Sequence, residues 1–213
     1  MKNIVTILSA ALLLLAGTQA NAQMSIGAGY VNSVESYKLS KNADPSNTAL
    51  NGFYAGFGYT IPVVSGLNFT PGVYYEFLTK GDATNISGAA NVSGKLTEHY
   101  INVPLTLSFG ADLTDGFRIF AYAGPTASLG LASTSVLNLD ILGYKAGTSV
   151  DNYKDSDYGR FDVLLGAGLG FEIADMIRLN VGYDWGMLNR YIGTTEGVSR
   201  RNTRLTAGVA ILF

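Results

Sequence analysis

The chain has 213 residues, enough for one domain of ordinary size, with a formal net charge of −2 and no cysteine. This excludes a disulfide framework and a thiolate metal site, fits an oxidising compartment, and argues against nucleic-acid binding as a main role. Charged residues make up 14% against about 25% in a typical soluble domain, while 26 glycines, 13 tyrosines and 10 phenylalanines are present.

In chain order, the first element is an export signal. Lys2 is followed by the apolar run "IVTILSAALLLLAG" and then by Ala20, Asn21 and Ala22, a small-x-small cleavage pattern. The run is shorter than the ~20 residues of a spanning helix, and no cysteine follows it to carry a lipid. Residues 1–22 are therefore expected to be a removed signal peptide, with 23–213 the mature domain.

Period-2 alternation, the strand signal, then recurs along the whole mature sequence. The weakest instance is 24–32, with Met24, Ile26, Ala28 and Tyr30 against Ser25, Gly27 and Gly29. In 52–61, Phe53, Ala55, Phe57 and Tyr59 alternate with Tyr54, Gly56 and Gly58, and in 66–78 Leu67, Phe69, Val73, Tyr75 and Phe77 alternate with Asn68, Thr70, Tyr74 and Glu76. In 98–109 the apolar phase is Ile101, Val103, Leu105, Leu107 and Phe109, opposite Glu98, Tyr100 and Asn102. In 117–131 it is Phe117, Ile119, Ala121, Ala123, Ala127, Leu129 and Leu131, opposite Arg118, Tyr122, Thr126 and Ser128. Three further segments start at Phe161, Ile177 and Arg204; the last ends at Phe213. Their polar phases hold Arg160, Asp162, Glu172, Arg178, Asp184 and Arg204 among glycines.

These eight segments predict an all-β, eight-stranded antiparallel transmembrane barrel, most strands reaching the ~9–11 residues a tilted strand needs to cross a bilayer. Short turns at 62–66, 111–116 and 174–176 alternate with long polar segments at 33–50, 80–95, 132–158 and 189–201, as periplasmic turns alternate with four extracellular loops. A soluble barrel would also alternate, but its outer face would need solvated side chains, and here the phase opposite the apolar one is glycine and small polar residues. Aromatics gather at strand ends: Tyr59, Phe69, Phe109, Phe117, Phe171 and Phe213 at the periplasmic rim, and Phe53, Tyr75, Phe77 and Phe161 at the outer one. Such girdles mark the two membrane interfaces.

"INVPLTLSFG" (101–110), "FAYAGPTASLG" (120–130), "DVLLGAGLGFEI" (162–173), "VGYDWGMLN" (181–189) and the terminal "LTAGVAILF" together resemble, in order, the Bacteroidetes-type outer-membrane β-barrel family that includes PorT-like proteins. The resemblance implies an integral outer-membrane protein whose partners are outer-membrane lipid and lipopolysaccharide. It also implies assembly machinery engaging a C-terminal strand that ends in Phe213, and an extracellular or secretion-machinery protein partner. No motif here selects the secretion-linked members.

The triplet Gly166, Gly168 and Gly170 is not a dinucleotide fingerprint: G-x-G-x-x-G needs glycine at 171, where Phe171 stands, and a helix to follow. The spacing instead puts three glycines on one face of a strand, leaving room in the bore for neighbours such as Arg118, Tyr122 or Arg178. An eight-strand bore is just wide enough to be filled by its own side chains. The inward phase carries Glu76, Asp162, Glu172 and Asp184 with Arg118, Arg160, Arg178 and Arg204, a balanced set expected to pair and plug the bore. Neither a cofactor nor a metal is expected. "DNYKDSDYG" (151–159) has closely spaced oxygen ligands, but Lys154 intrudes and the calcium-loop pattern is incomplete. His99 is the single histidine and lacks the His-x-Ser pairing of barrel acyl hydrolases. Arg200 and Arg201, at the outer rim, are candidates for contact with lipopolysaccharide phosphate. The preferred function is a non-enzymatic structural or interaction barrel acting through its loops. The alternatives are a narrow channel for small or hydrophobic solutes and a lipid-A- or phospholipid-modifying barrel enzyme.

Overall fold

A computed structural model describes residues 22–86, 90–141 and 144–213. Residues 1–21, most of the expected signal peptide, lie outside the described residues. The described elements are β1 (Gln23–Lys38), β2 (Ser46–Val64), β3 (Leu67–Ile86), β4 (Ala90–Thr114), β5 (Phe117–Ile141), β6 (Tyr144–Asp151), the short α1 (Asn152–Asp155), β7 (Phe161–Ile173), β8 (Ile177–Gly186) and β9 (Ser199–Leu212).

The strands follow the order β4-β3-β2-β1-β9-β8-β7-β5, and β4 pairs with β5 to close the ring. Eight antiparallel strands thus form the barrel, and the ninth, β6, hangs from β5 beyond it. Closure runs to the chain end, where Met24 and Phe213 exchange two backbone hydrogen bonds of 2.9 Å. A spanning sheet needs this, because lipid offers no partner to an unpaired backbone group.

The alternation is carried through in three dimensions. Phe57 (59% exposed) and Leu169 (68%) stand on the outer wall, while Ser25, Glu76, Asn102, Ser128 and Asp162 are buried in the bore. An apolar belt of this extent is tolerated only against lipid or a partner. Its rims are tied by ring contacts: Phe53 lies 5.4 Å from Phe77, Phe77 packs edge-on to His99 at 5.2 Å, and Phe117 lies 6.0 Å from Phe171 at the opposite end.

Strands run past the membrane where loops are expected. β4 and β5 have 25 residues each, about 80 Å of chain at ~3.3 Å per residue. The segments 80–95 and 132–158, read as polar loops, are largely continued hairpin, since Ala90–Glu98 pairs with β5 and Thr134–Ile141 with both β4 and β6. Once a hairpin leaves the bilayer its ladder can go on satisfying backbone groups, so polar composition does not end it. Above the bore, Val31, Leu50, Leu78 and Tyr100 form a small apolar core with Tyr54 and Leu96 packed against it, holding β1 to β4 together. At the other end the turns shrink to two or three residues; Gly66 (φ 81°) and Gly116 (φ 74°) supply the left-handed backbone that two of them need.

The glycine triplet lies on β7 with its α-carbons facing the bore, and each takes a different neighbour. A β-carbon on Gly168 would strike the Tyr122 ring and the Val181 carbonyl, one on Gly170 the Phe120 ring, and one on Gly166 the Asp184 carboxylate. The same holds for Tyr54 beside Gly29 and Tyr74 beside Gly56, where a β-carbon would strike the ring. Large rings fit inside the bore because the strand beside them has no side chain there. Gly168→Leu is therefore expected to abolish the heat-modifiable band of folded barrel on unboiled gels, whereas Ala167→Leu, on the lipid face, retains it.

Candidate functional site

The bore holds charge in layers. The outermost is built around Arg190, 2% exposed, on the segment between β8 and β9. Its Nη1 donates to the Tyr100 hydroxyl at 3.0 Å, and its Nε and Nη2 donate to the Gly159 carbonyl at 3.1 and 2.9 Å. The guanidinium lies 4.2 Å from the centre of the Tyr158 ring and 5.2 Å from that of Tyr100. Tyr100 in turn donates to Glu98 at 2.8 Å, and Ser133 donates to the other Glu98 oxygen at 2.9 Å. Arg200 also lies 4.2 Å from the Tyr158 ring centre, and its Nε pairs with Glu35 at 2.8 Å. Tyr158 thus sits between two cations, one of the stronger forms of cation–π contact because the group is desolvated. Burial, reinforced by Glu98, pushes the Tyr158 phenol well above its ordinary range, so it stays protonated.

The second layer lies one step deeper. Arg204 pairs with Glu76 at 2.6 Å, and Asn102 donates to the same carboxylate oxygen at 2.9 Å. Asp162 accepts from the backbone N–H of Val163 (2.8 Å) and Leu188 (3.3 Å), tying β7 to the segment after β8. Toward the periplasmic end Arg178 pairs with Glu172 at 2.7 Å and lies 5.5 Å from the Phe120 ring centre. Arg118 donates to the Gly66 carbonyl at 2.9 Å, with Asp112 at 3.8 Å.

The eight predicted bore residues are therefore distributed as follows. Glu76 meets Arg204, and Glu172 meets Arg178. Arg118 uses a turn carbonyl and Asp112 instead of a member of the predicted set. Arg160 is exposed at the rim, donating to the carbonyls of Gly130 (3.3 Å) and Leu131 (2.9 Å) with its guanidinium 4.5 Å from the Tyr153 ring centre, so it is not a bore plug. Asp162 is held by backbone, and Asp184 is half-buried beside the bore cavity. Of the rim pair, Arg201 is exposed as expected of a lipid contact, but Arg200 turns inward, where Glu35 and Tyr158 occupy it. Both sit on β9, where neighbours along the strand face opposite sides.

Arg190 and Tyr158 carry the outer layer and were not legible in the sequence, because both lie in segments without periodicity. Glu98 and Tyr100 had a signal, their place in the inward phase of the fourth strand. Outside the bore, the His99 Nδ1 is 2.6 Å from the Tyr75 hydroxyl on the lipid-facing wall. Asp151 caps α1, accepting from the Tyr153 N–H at 3.1 Å and pairing with Lys154 at 3.2 Å. No cluster able to hold a metal occurs among the described residues.

The family model described as "Outer membrane protein beta-barrel domain" matches residues 19–190. The chain belongs to this family. It is accordingly an outer-membrane protein. No curated protein matches it. Among solved structures, Ail of Yersinia pestis, in complex with the heparin analogue sucrose octasulfate, is 13% identical with a TM-score of 0.48, covering 91% of this chain and 100% of Ail. Neisserial surface protein A is 19% identical with a TM-score of 0.47, covering 90% and 99%. The N-terminal barrel domain of Pseudomonas aeruginosa OprF is 13% identical with a TM-score of 0.27, covering 91% and 100%. Arg190→Ala in this outer-membrane barrel would remove the guanidinium linked to buried Glu98 through the Tyr100 hydroxyl; unfolding by denaturant in micelles should show a loss of about 3 kcal/mol. Arg201→Ala, at an exposed site, should stay within about 0.5 kcal/mol.

Proposed function

We propose that this protein is a non-conducting interaction barrel, acting through the surface its strands and loops raise above the outer membrane. The observation that carries this is the double seal at the outer end. Arg190 among Tyr100, Tyr158 and Tyr153 lies directly above Arg204 with Glu76, and only about 10 Å³ of space remains between the two layers. A solute crossing here would have to break a desolvated ion pair, and removing one partner of such a pair is costly. The exterior is the opposite: β3, β4, β5 and β6 continue as a projecting hydrogen-bonded sheet, and binding surfaces are commonly carried on such scaffolds.

Within this reading residues 1–22 are the leader and Gln23–Phe213 the mature barrel. Arg201 is the residue left to meet lipopolysaccharide phosphate, and the terminal strand ending in exposed Phe213 is presented to the assembly machinery. The pairing of His99 with Tyr75 supports a rim side chain rather than a hydrolytic centre. In planar bilayers the purified protein is expected to give no stable single-channel steps; steady steps would refute the seal. Mass spectrometry of protein from outer membranes is expected to show an N-terminus at Gln23.

A further inference from the structure

Below the double seal the bore opens into a chamber of about 180 Å³, which continues into a second space of about 110 Å³ that shares Tyr74, Tyr122 and Asn180 as wall. Arg178 lines both this second space and a vestibule of about 740 Å³ at the periplasmic mouth. The spaces follow one another toward the periplasmic mouth, with Arg178, bonded to Glu172 and to Thr60, at the junction of the last two.

Its chemistry is one-sided. The rings of Tyr54, Tyr74 and Tyr122 line the main chamber. Two acids, Glu76 and Asp184, face a single arginine, Arg204. Arg204 makes its one ion pair among the described residues with Glu76 and lies directly across the ladder from Asp184, so a single guanidinium serves two carboxyl groups. Three nearly buried side chains of this wall have a polar atom without a hydrogen-bond partner: the acceptors Glu76 Oε1 (3% exposed) and Asn102 Oδ1 (6% exposed), and the donor Arg204 Nε (5% exposed). Buried polar atoms without a partner are expensive unless something meets them. Three tyrosine rings, Tyr54 and Tyr74 set edge to face, beside two carboxyl groups that share one arginine form an arrangement able to receive an organic cation. The vestibule has the same sign, with four acids, Asp112, Asp115, Glu172 and Asp175, against Arg118 and Arg178. It would raise the local concentration of cations at the entrance.

We propose that the bore is a periplasm-facing binding site for a small organic ammonium ion, held by Asp184 and the faces of Tyr54, Tyr74 and Tyr122. The chamber has room for the volume of about six water molecules at ~30 Å³ each, which admits an ammonium carrying a few carbons and excludes a lipid chain. Gly166 is part of the device, because a β-carbon there would collide with the Asp184 carboxylate. The proposed site does not rest on the interaction role, which concerns the surface above the outer membrane.

The test uses the full mature chain folded in a maltoside micelle, whose headgroup carries no ammonium, with fluorotyrosine incorporated and observed by 19F NMR. Choline chloride is the probe, 3,3-dimethylbutan-1-ol its uncharged isostere, and sodium chloride the salt control. Choline should saturate shifts of chamber tyrosines in the millimolar range or below. The neutral isostere should bind at least about tenfold more weakly, and sodium should not reproduce the shifts. Asp184→Asn should weaken choline about tenfold or more. Tyr122→Phe, which keeps the ring, should change it less than about twofold, and Tyr122→Leu several-fold. Folding of each variant is read from its heat-modifiable band, and if Asp184→Asn does not fold, the isostere and the Tyr122 pair decide. Equal binding of the isostere, choline affinity unchanged in folded Asp184→Asn, or no saturable shift at 10 mM choline overturns the proposal.

Discussion

The narrowness of an eight-strand ring governs the rest of this molecule. Such a bore is about as wide as the side chains that point into it, so each inward residue is packed against several others. Inward charges therefore cannot remain hydrated, and must be paired, held by backbone N–H groups or stacked on rings. Each of these solutions occurs. Arg204 takes Glu76, Asp162 takes two backbone donors, and Arg190 takes Tyr100, a carbonyl and the face of Tyr158.

The same narrowness explains the glycines. A tyrosine pointing into a small bore must bend along the wall, and it can do so only where the next strand presents no β-carbon. Gly29, Gly56 and Gly168 provide that space for Tyr54, Tyr74 and Tyr122. Glycine is a poor strand former in isolation, so its abundance here reflects close approach across the sheet and not backbone flexibility.

Charge and packing also separate the two ends. At the outer end, segments without regular structure fold back over the bore and bring Arg190 and Tyr158 into one stack with Arg200 of β9. At the periplasmic end the turns are too short to fold back, and the mouth stays open. The asymmetry follows from loop length: only a long connection can reach across the barrel axis to close it.

By itself the sequence determined the strand count of the ring, the face of every strand, the aromatic rims and the outer-membrane setting. These depend on period-2 alternation and composition, which are local properties. Phase also marked Glu76, Glu172, Arg178 and Arg204, which the structure pairs, but not the buried Arg190. Tertiary structure decided the pairings. Glu76 and Arg204 are 128 residues apart and meet only because closure of the ring leaves just β1 and β2 between β3 and β9. It decided, too, that Arg160 lies at the rim and that Arg200 faces Glu35 and not lipid. The outer seal was the least legible part, because Arg190 and Tyr158 stand in aperiodic segments whose path is set by the hydrogen bonds they make on arrival. Local patterning can build a wall, but what fills a bore depends on which strands closure has made neighbours.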